Sequence, residues 1–283
     1  MSVITADQIR QLRERTGVGL AKCKTALEAA GGNIEKAIED LRKAGIASAV
    51  KKEARETKEG RIEFFETPET LAVLELNAET DFVVNNERFR QLHTQLVELL
   101  AKAKSTTVAE FLLTPLPKEP SKNADDLRKE LISVLGENIV VSRIITIAKQ
   151  PNRSLGIYSH MNGKIFVAVE LEGSSKEDAF ARDIGMHIAA ESPEYLNADE
   201  VPAELKAKEM EIAESQAPKD RSPQVLEKIL QGKLKAFFDQ VCLLNQKYIK
   251  DNAITIADLV AKKSKESGEN LSIVKFIRFQ VGN

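Results

Sequence analysis

The segment L76-N-A-E-T-D-F-V-V-N-N-E-R-F89 places three consecutive apolar residues, Phe82, Val83 and Val84, inside an otherwise polar connection. Such an arrangement has two uses. Phe82 and Val83 can staple the start of the following helix by packing across its cap. Alternatively, a phenylalanine held in a polar turn is an anchor for a pocket on another protein, where burying one aromatic side chain contributes roughly 1.5–3 kcal/mol. Residues suited to covalent chemistry are sparse. The three histidines, His93, His160 and His187, lie far apart. His93 and His187 fall on helix faces and read as structural, while His160, at a strand end, is either an ordinary polar residue or a contact. Cys23 and Cys242 lack CxxC spacing, which leaves no disulfide framework and no zinc ligand set. No GxGxxG, GxxxxGK[ST], GxSxG or HExxH run occurs, so an enzymatic reading has no constellation to stand on and no cofactor is expected.

Composition narrows the classes further. With 283 residues, 42% hydrophobic and 30% charged, the chain has the make-up of a soluble protein and the length for two or more domains. A formal charge of −2 argues against a protein built to neutralise phosphates, and zero tryptophan with three tyrosines offers few stacking platforms for bases. No direct nucleic-acid partner is expected. The opening MSVITADQ is not a secretory signal, and no apolar run approaches the ~18 residues that would span a bilayer. A cytoplasmic protein without a membrane partner is the expectation.

The elements that must position the turn follow from periodicity. Residues 1–45 read as three short helices: Thr5 and Gln8 form a capping box with Ile4 and Ile9 as its staple. Leu20, Cys23, Leu27 and Ala30 then line one face of a second helix, with Cys23 as a buried thiol. Leu20 points either into this small core or outward to a partner. Ile34, Ala37, Ile38 and Leu41 mark the third helix, with Gly45 as its stop. The charged run K51-K-E-A-R-E-T-K-E-G60 reads as a solvated linker. Strands follow at 61–66 and 71–76, then a helix from Phe89 to about Lys104, a proline-bearing loop over 105–124, a helix over 125–135 and a strand over 137–147. Another strand is expected near 154–158.

A second round repeats the first. K164-I-F-V-A-V-E-L171 matches L71-A-V-L-E-L76, a helix with Phe180, Ile184 and Ile188 follows, and G268-E-N-L-S-I-V-K-F-I-R-F279 matches G136-E-N-I-V-V-S-R-I-I-T-I147. Two related strand, helix, strand modules result. Fourteen positions separate Glu75 from Phe89 but ten separate Glu170 from Phe180, so the first copy carries extra residues around T80-D-F-V83. A longer insertion covers roughly 197–238 in the second copy. Its apolar residues recur at helical intervals about a break, the stretch QAPKDRSP from Gln216 to Pro223, which suits an antiparallel helical hairpin or, alternatively, two helices lying on the sheet. Insertions relative to a repeat are dispensable for the shared core and are the first places to look for function.

Taken in order, L12-R-E-R-T-G-V-G-L20 with C23-K24, then T80-D-F-V83, G136-E-N138, M186-H-I-A-A190 and F276-I-R-F279 closely resemble the bacterial elongation factor Ts family along nearly the whole chain. The resemblance implies a guanine nucleotide exchange factor that binds GDP-bound and nucleotide-free elongation factor Tu. Release of GDP, so that GTP can enter, would follow from displacing magnesium, with no covalent chemistry. It also implies an α+β protein with an N-terminal UBA-like module and linker (1–55) and two related subdomains with antiparallel sheets (56–149 and 150–283). A coiled-coil hairpin (197–238) would be inserted in the second. Thr80, Asp81, Phe82 and Val83 would dislodge the magnesium. Leu20, Lys24, Leu135, Gly136, His160, Tyr248 and Ile249 would make further partner contacts. Lys250 departs from the family's pattern, standing where an apolar residue is common, and the sequence stops at Asn283 directly after the last strand. The competing class is a non-catalytic scaffold or RNA-binding protein of translation.

Overall fold

A computed structural model describes residues 4–218 and 222–282, so the middle of the expected break at 216–223 lies outside the described residues. Its contacts divide the chain into two units, one running to Lys149 and taking in the chain from Gln280, the other Gln150–Phe279.

The first unit contains α1 (Ala6–Thr16), α2 (Leu20–Ala29), α3 (Ile34–Val50), β1 (Glu59–Glu66), β2 (Thr70–Ala78), α4 (Asp81–Val84), α5 (Glu87–Ala103), α6 (Val108–Leu112), α7 (Ala124–Leu135) and β3 (Ile139–Ala148). At the start of α1 the Thr5 hydroxyl accepts the Gln8 N–H at 3.2 Å while the Gln8 side-chain oxygen accepts the Thr5 N–H at 2.9 Å. Two otherwise open donors are thereby satisfied. The three helices close around Leu12, Val18, Cys23, Leu27 and Ala37, and the fully buried Cys23 donates its thiol to the Val18 carbonyl at 3.3 Å. Gly45 does not stop the third helix, which runs on to Val50. A Cβ at this position would lie 2.5 Å from Ser133 Oγ of α7, so the glycine marks where two helices touch, and its lack of a side chain serves packing rather than termination.

The sheet has the order β1-β2-β3, with both pairings antiparallel. Every residue of the central β2 is buried. Leu74, Leu76 and Ala78 share a core with Phe89, Leu92, Leu96 and Leu100 of α5, whose apolar positions recur at helical spacing. The proline-bearing segment is less irregular than its composition suggests, since it contains α6 and a bridge between Pro115 and Asn123. The charged linker is also held: Asn138 donates its side-chain N–H groups to the carbonyls of Glu53 at 3.3 Å and Arg55 at 2.9 Å.

The second unit contains β4 (Arg153–His160), β5 (Ile165–Glu172), α8 (Asp178–Glu191), α9 (Ala203–Ser215), α10 (Pro223–Val241), β6 (Lys247–Tyr248), β7 (Asp251–Thr255), α11 (Ile256–Ser267) and β8 (Ser272–Gln280). Its main sheet has the order β4-β5-β8, again with the middle strand of the repeat at the centre. Val167, Val169 and Leu171 pack with Ala181, Ile184 and Ile188 of α8. Helix α11, which the periodicity alone does not announce, answers to α7. Both span 12 residues, both start with a capping box (Asn123 with Asp126, Thr255 with Asp258), and both end on a left-handed glycine, Gly136 or Gly268. The repeat is therefore strand, strand, helix, helix, strand. Between α8 and α11, Leu205 of α9 shares a cluster with Phe237 and Phe238 of α10, while Lys233 of α10 reaches Gln216 at 2.7 Å.

Each copy also buries a glutamate at the same place in its central strand. Arg143 Nε donates to Glu75 at 2.7 Å. Glu170 accepts from Arg153 at 3.0 Å and has Lys275 at 3.0 Å in an ionic contact. Among the described residues no helix is long and apolar enough to cross a membrane.

Candidate functional site

Beyond the end of β2 the chain makes a single helical turn, α4, before α5 begins. Thr80 caps it, accepting the Val83 N–H on its hydroxyl oxygen at 3.4 Å. Within this turn the three apolar residues separate. Val84 is buried in the core and Val83 packs against it, whereas Phe82 is 84% exposed, the highest value among the large hydrophobic side chains described. The helical twist explains the division, because adjacent residues on a single turn face different directions. Stapling is the work of the two valines. The staple reading of Phe82 does not hold, and its ring stands in water beside the exposed Asp81.

The turn is pinned at its base. The Thr80 N–H donates to Glu137 Oε2 at 3.0 Å, and the Thr80 hydroxyl donates to Glu137 Oε1 at 2.7 Å. One residue earlier, Glu79 accepts the Asn138 N–H at 2.7 Å and pairs with Arg55 at 3.3 Å. These contacts join T80-D-F-V83 to G136-E-N138, so the half-buried Leu135 and the exposed Gly136 belong to the same constellation. Gly136 sits at φ +86°, a left-handed conformation that lets the chain turn sharply out of α7 and carry Glu137 toward Thr80.

In the same unit Leu20 is 51% exposed, which resolves its direction in favour of an outward side chain. Lys24 is also exposed and its ammonium lies 3.9 Å from Glu28, a weak pair. Sequence reasoning passed over the arginines nearby. Arg10 and Arg13 of α1 and Arg88 of α5 line an open cleft with Asn86 and Leu135, and none of the three has an ion-pair partner among the described residues. Interleaved glutamates, Glu14 and Glu87, hid that cluster in the sequence.

The second unit holds the remaining candidates. His160 ends β4 exposed, stacked on Tyr158 at 5.8 Å between ring centroids, with the Tyr158 hydroxyl 3.0 Å from its Nδ1. Ile249 is 37% exposed, but Tyr248 is only 7% exposed and packs in the core beside His187. Of the two, Ile249 is thus the side chain turned to solvent, while most of the Tyr248 ring lies in the core of this unit. Lys250 pairs with Asp183 at 3.1 Å, and that hydrogen bond raises its pKa.

The other two histidines are packing residues. His93 Nε2 donates to the Leu74 carbonyl at 2.9 Å, and burial pushes its pKa down to about 4. His187 bonds Gln246 through Nε2 at 3.0 Å, and burial lowers its pKa as well. Among the described residues no group of His, Cys, Asp or Glu could hold a metal ion.

This chain matches the family model described as elongation factor TS over residues 79–283. It is 48% identical to elongation factor Ts of Protochlamydia amoebophila over 282 residues, covering all of both chains. The corresponding proteins of Chlamydia muridarum and Chlamydia pneumoniae are each 44% identical over the same full length. Agreement over the whole chain at this level exceeds what a shared fold alone requires. The chain belongs to the elongation factor Ts family, and its role is nucleotide exchange on elongation factor Tu in translation elongation, without covalent chemistry of its own.

Proposed function

We propose that exchange acts through the T80-D-F-V83 turn. The observation that carries this reading is an aromatic ring left 84% exposed on a turn whose base is hydrogen-bonded on both sides. Leaving a phenylalanine in water forgoes roughly 1.5–3 kcal/mol of burial, which a pocket on the partner restores. Phe82 enters an apolar crevice in the nucleotide domain of elongation factor Tu, with Asp81 beside it. The intrusion disturbs the magnesium ion that bridges and offsets the phosphate charges of GDP, and retention of the nucleotide weakens. Exchange factor and nucleotide are then coupled by one free energy that acts equally in both directions, so GTP entry expels the factor in turn.

Leu20, Lys24, Leu135 and Gly136 extend the contact surface on the first unit, and His160 and Ile249 extend it on the second. The three N-terminal helices act as a UBA-like module, and α9 with α10 as a coiled-coil hairpin of the second subdomain. The test is Phe82→Ala. Stopped-flow release of a fluorescent GDP analogue from elongation factor Tu should lose most of its acceleration while the thermal midpoint of the variant stays at the parent value. Full acceleration by the variant refutes the role of the ring.

A further inference from the structure

We propose that Glu137 is a positioning residue for exchange: its carboxylate clamps Thr80 and thereby aims Asp81 and Phe82 at the partner. The inference rests on the reading of the turn given above and adds the device that holds it. Helix α4 has four residues, too few to hold its own shape in water. Three backbone bonds close it, Val84 N–H to Thr80 O at 3.3 Å, Asn85 N–H to Asp81 O at 2.9 Å and Asn86 N–H to Val83 O at 3.0 Å. Val84 fixes one side by burial. What sets the direction of the rest is the cap residue, and there Glu137 takes both donors of Thr80, N–H at 3.0 Å and O–H at 2.7 Å, one on each carboxylate oxygen. Bonds to a carboxylate are about twice as strong as neutral ones, and a two-point clamp adds an orientation that a single bond lacks.

The internal repeat separates this role from a requirement of the fold. Gly268-Glu269-Asn270 repeats Gly136-Glu137-Asn138 after an equivalent helix and before an equivalent strand. Glu269 and Asn270 are both exposed, and among the described residues the Glu269 carboxylate has no hydrogen bond. That copy also lacks the inserted turn. The glutamate is thus free where the same framework has nothing to aim, and doubly bonded where an exposed ring must be held. A ring fixed before contact spares the ordering cost that a loose turn would meet on binding.

The experiment measures accelerated release of a fluorescent GDP analogue from elongation factor Tu by the full chain carrying Glu137→Ala, Glu137→Gln, Phe82→Ala or the pairs with Phe82→Ala. The expected loss is about tenfold for Glu137→Ala, the scale of losing hydrogen bonds to a charged group. Glu137→Gln, which can accept from one Thr80 donor but not both, should recover part of it. Because Glu137 acts mainly by aiming the ring, each substitution should cost a much smaller fraction of the acceleration in the Phe82→Ala protein than in the parent. Full acceleration by Glu137→Ala, or the same fractional loss in the Phe82→Ala background, overturns the proposal. If Glu137→Ala fails to fold, Glu137→Gln decides: undiminished acceleration by that variant overturns it. Should Phe82→Ala itself keep full acceleration, the reading of the turn fails first, and the role of Glu137 falls with it.

Discussion

The two Gly-Glu-Asn tripeptides show how one local sequence can be put to different uses. At 136–138 the asparagine is buried and pins the linker at Glu53 and Arg55, and the glutamate grips Thr80. At 268–270 both side chains face solvent. The glycine does the same work in each, ending a 12-residue helix in a left-handed conformation at φ +86° or +73°. Cap and strand are thus the common inheritance of the repeat. The grip is specific to the copy that carries extra residues between its central strand and helix, which places function in the insertion and support in the framework.

The buried glutamates sharpen that comparison most. Glu75 is 2% exposed and bonded to Arg143, whereas Glu170 faces two cations, Arg153 and Lys275. Among the described residues, removing Arg143 leaves the buried Glu75 carboxylate with only Asn77 at 3.2 Å, so Arg143→Ala should cost about 3–5 kcal/mol in urea unfolding. Lys275→Ala leaves Glu170 with Arg153, and about 1 kcal/mol or less is expected. Equal losses would show that the two frameworks are balanced alike and break the distinction.

The next largest effect is that of pH on the first unit. His93 is held neutral, its pKa down at about 4 from an ordinary 6.5. The folded state therefore binds fewer protons than the unfolded chain between these values, and stability is lost as pH falls through that window. From pH 7 to pH 5 the loss from His93 is about 2 kcal/mol. His93→Gln should flatten the dependence in urea titrations at the two pH values, and an unchanged slope would assign it to other groups.

Smallest is the effect of the capping glycines. Beyond the adjoining residues nothing lies within 4 Å of a Cβ built on Gly136 or Gly268, so alanine there meets only the strain of positive φ. Each substitution should cost about 1 kcal/mol. Only Gly136→Ala should also reduce acceleration of GDP release, because only there does the next residue hold the turn. A matching functional loss from Gly268→Ala would erase the difference between the copies.

Much of this architecture was legible in the residues. The Thr5–Gln8 capping box, the buried Cys23 stripe and the correspondence of β2 with β5 in the repeat all follow from local chemistry and periodicity. Helix α11 shows a missed opportunity, since Thr255, Asp258 and Gly268 carry the same cap signals as α7. Gly45 was misread, and the burial of Tyr248 missed, for another reason. A glycine at a helix crossing and one at a helix end look alike until the neighbouring Ser133 is in place, and a tyrosine before an exposed isoleucine has no periodicity to reveal which of them is buried.

The sequence by itself determined most of the helices and strands, the internal repeat, the insertion at T80-D-F-V83 and the family, because caps, apolar spacing and motif order act over a few residues at a time. Tertiary structure alone decided that Phe82 stands in water while Val84 is buried, and that Glu137 reaches across 57 positions to Thr80. Both depend on which surfaces meet when the chain closes, and a hydrogen bond between distant residues leaves no local trace.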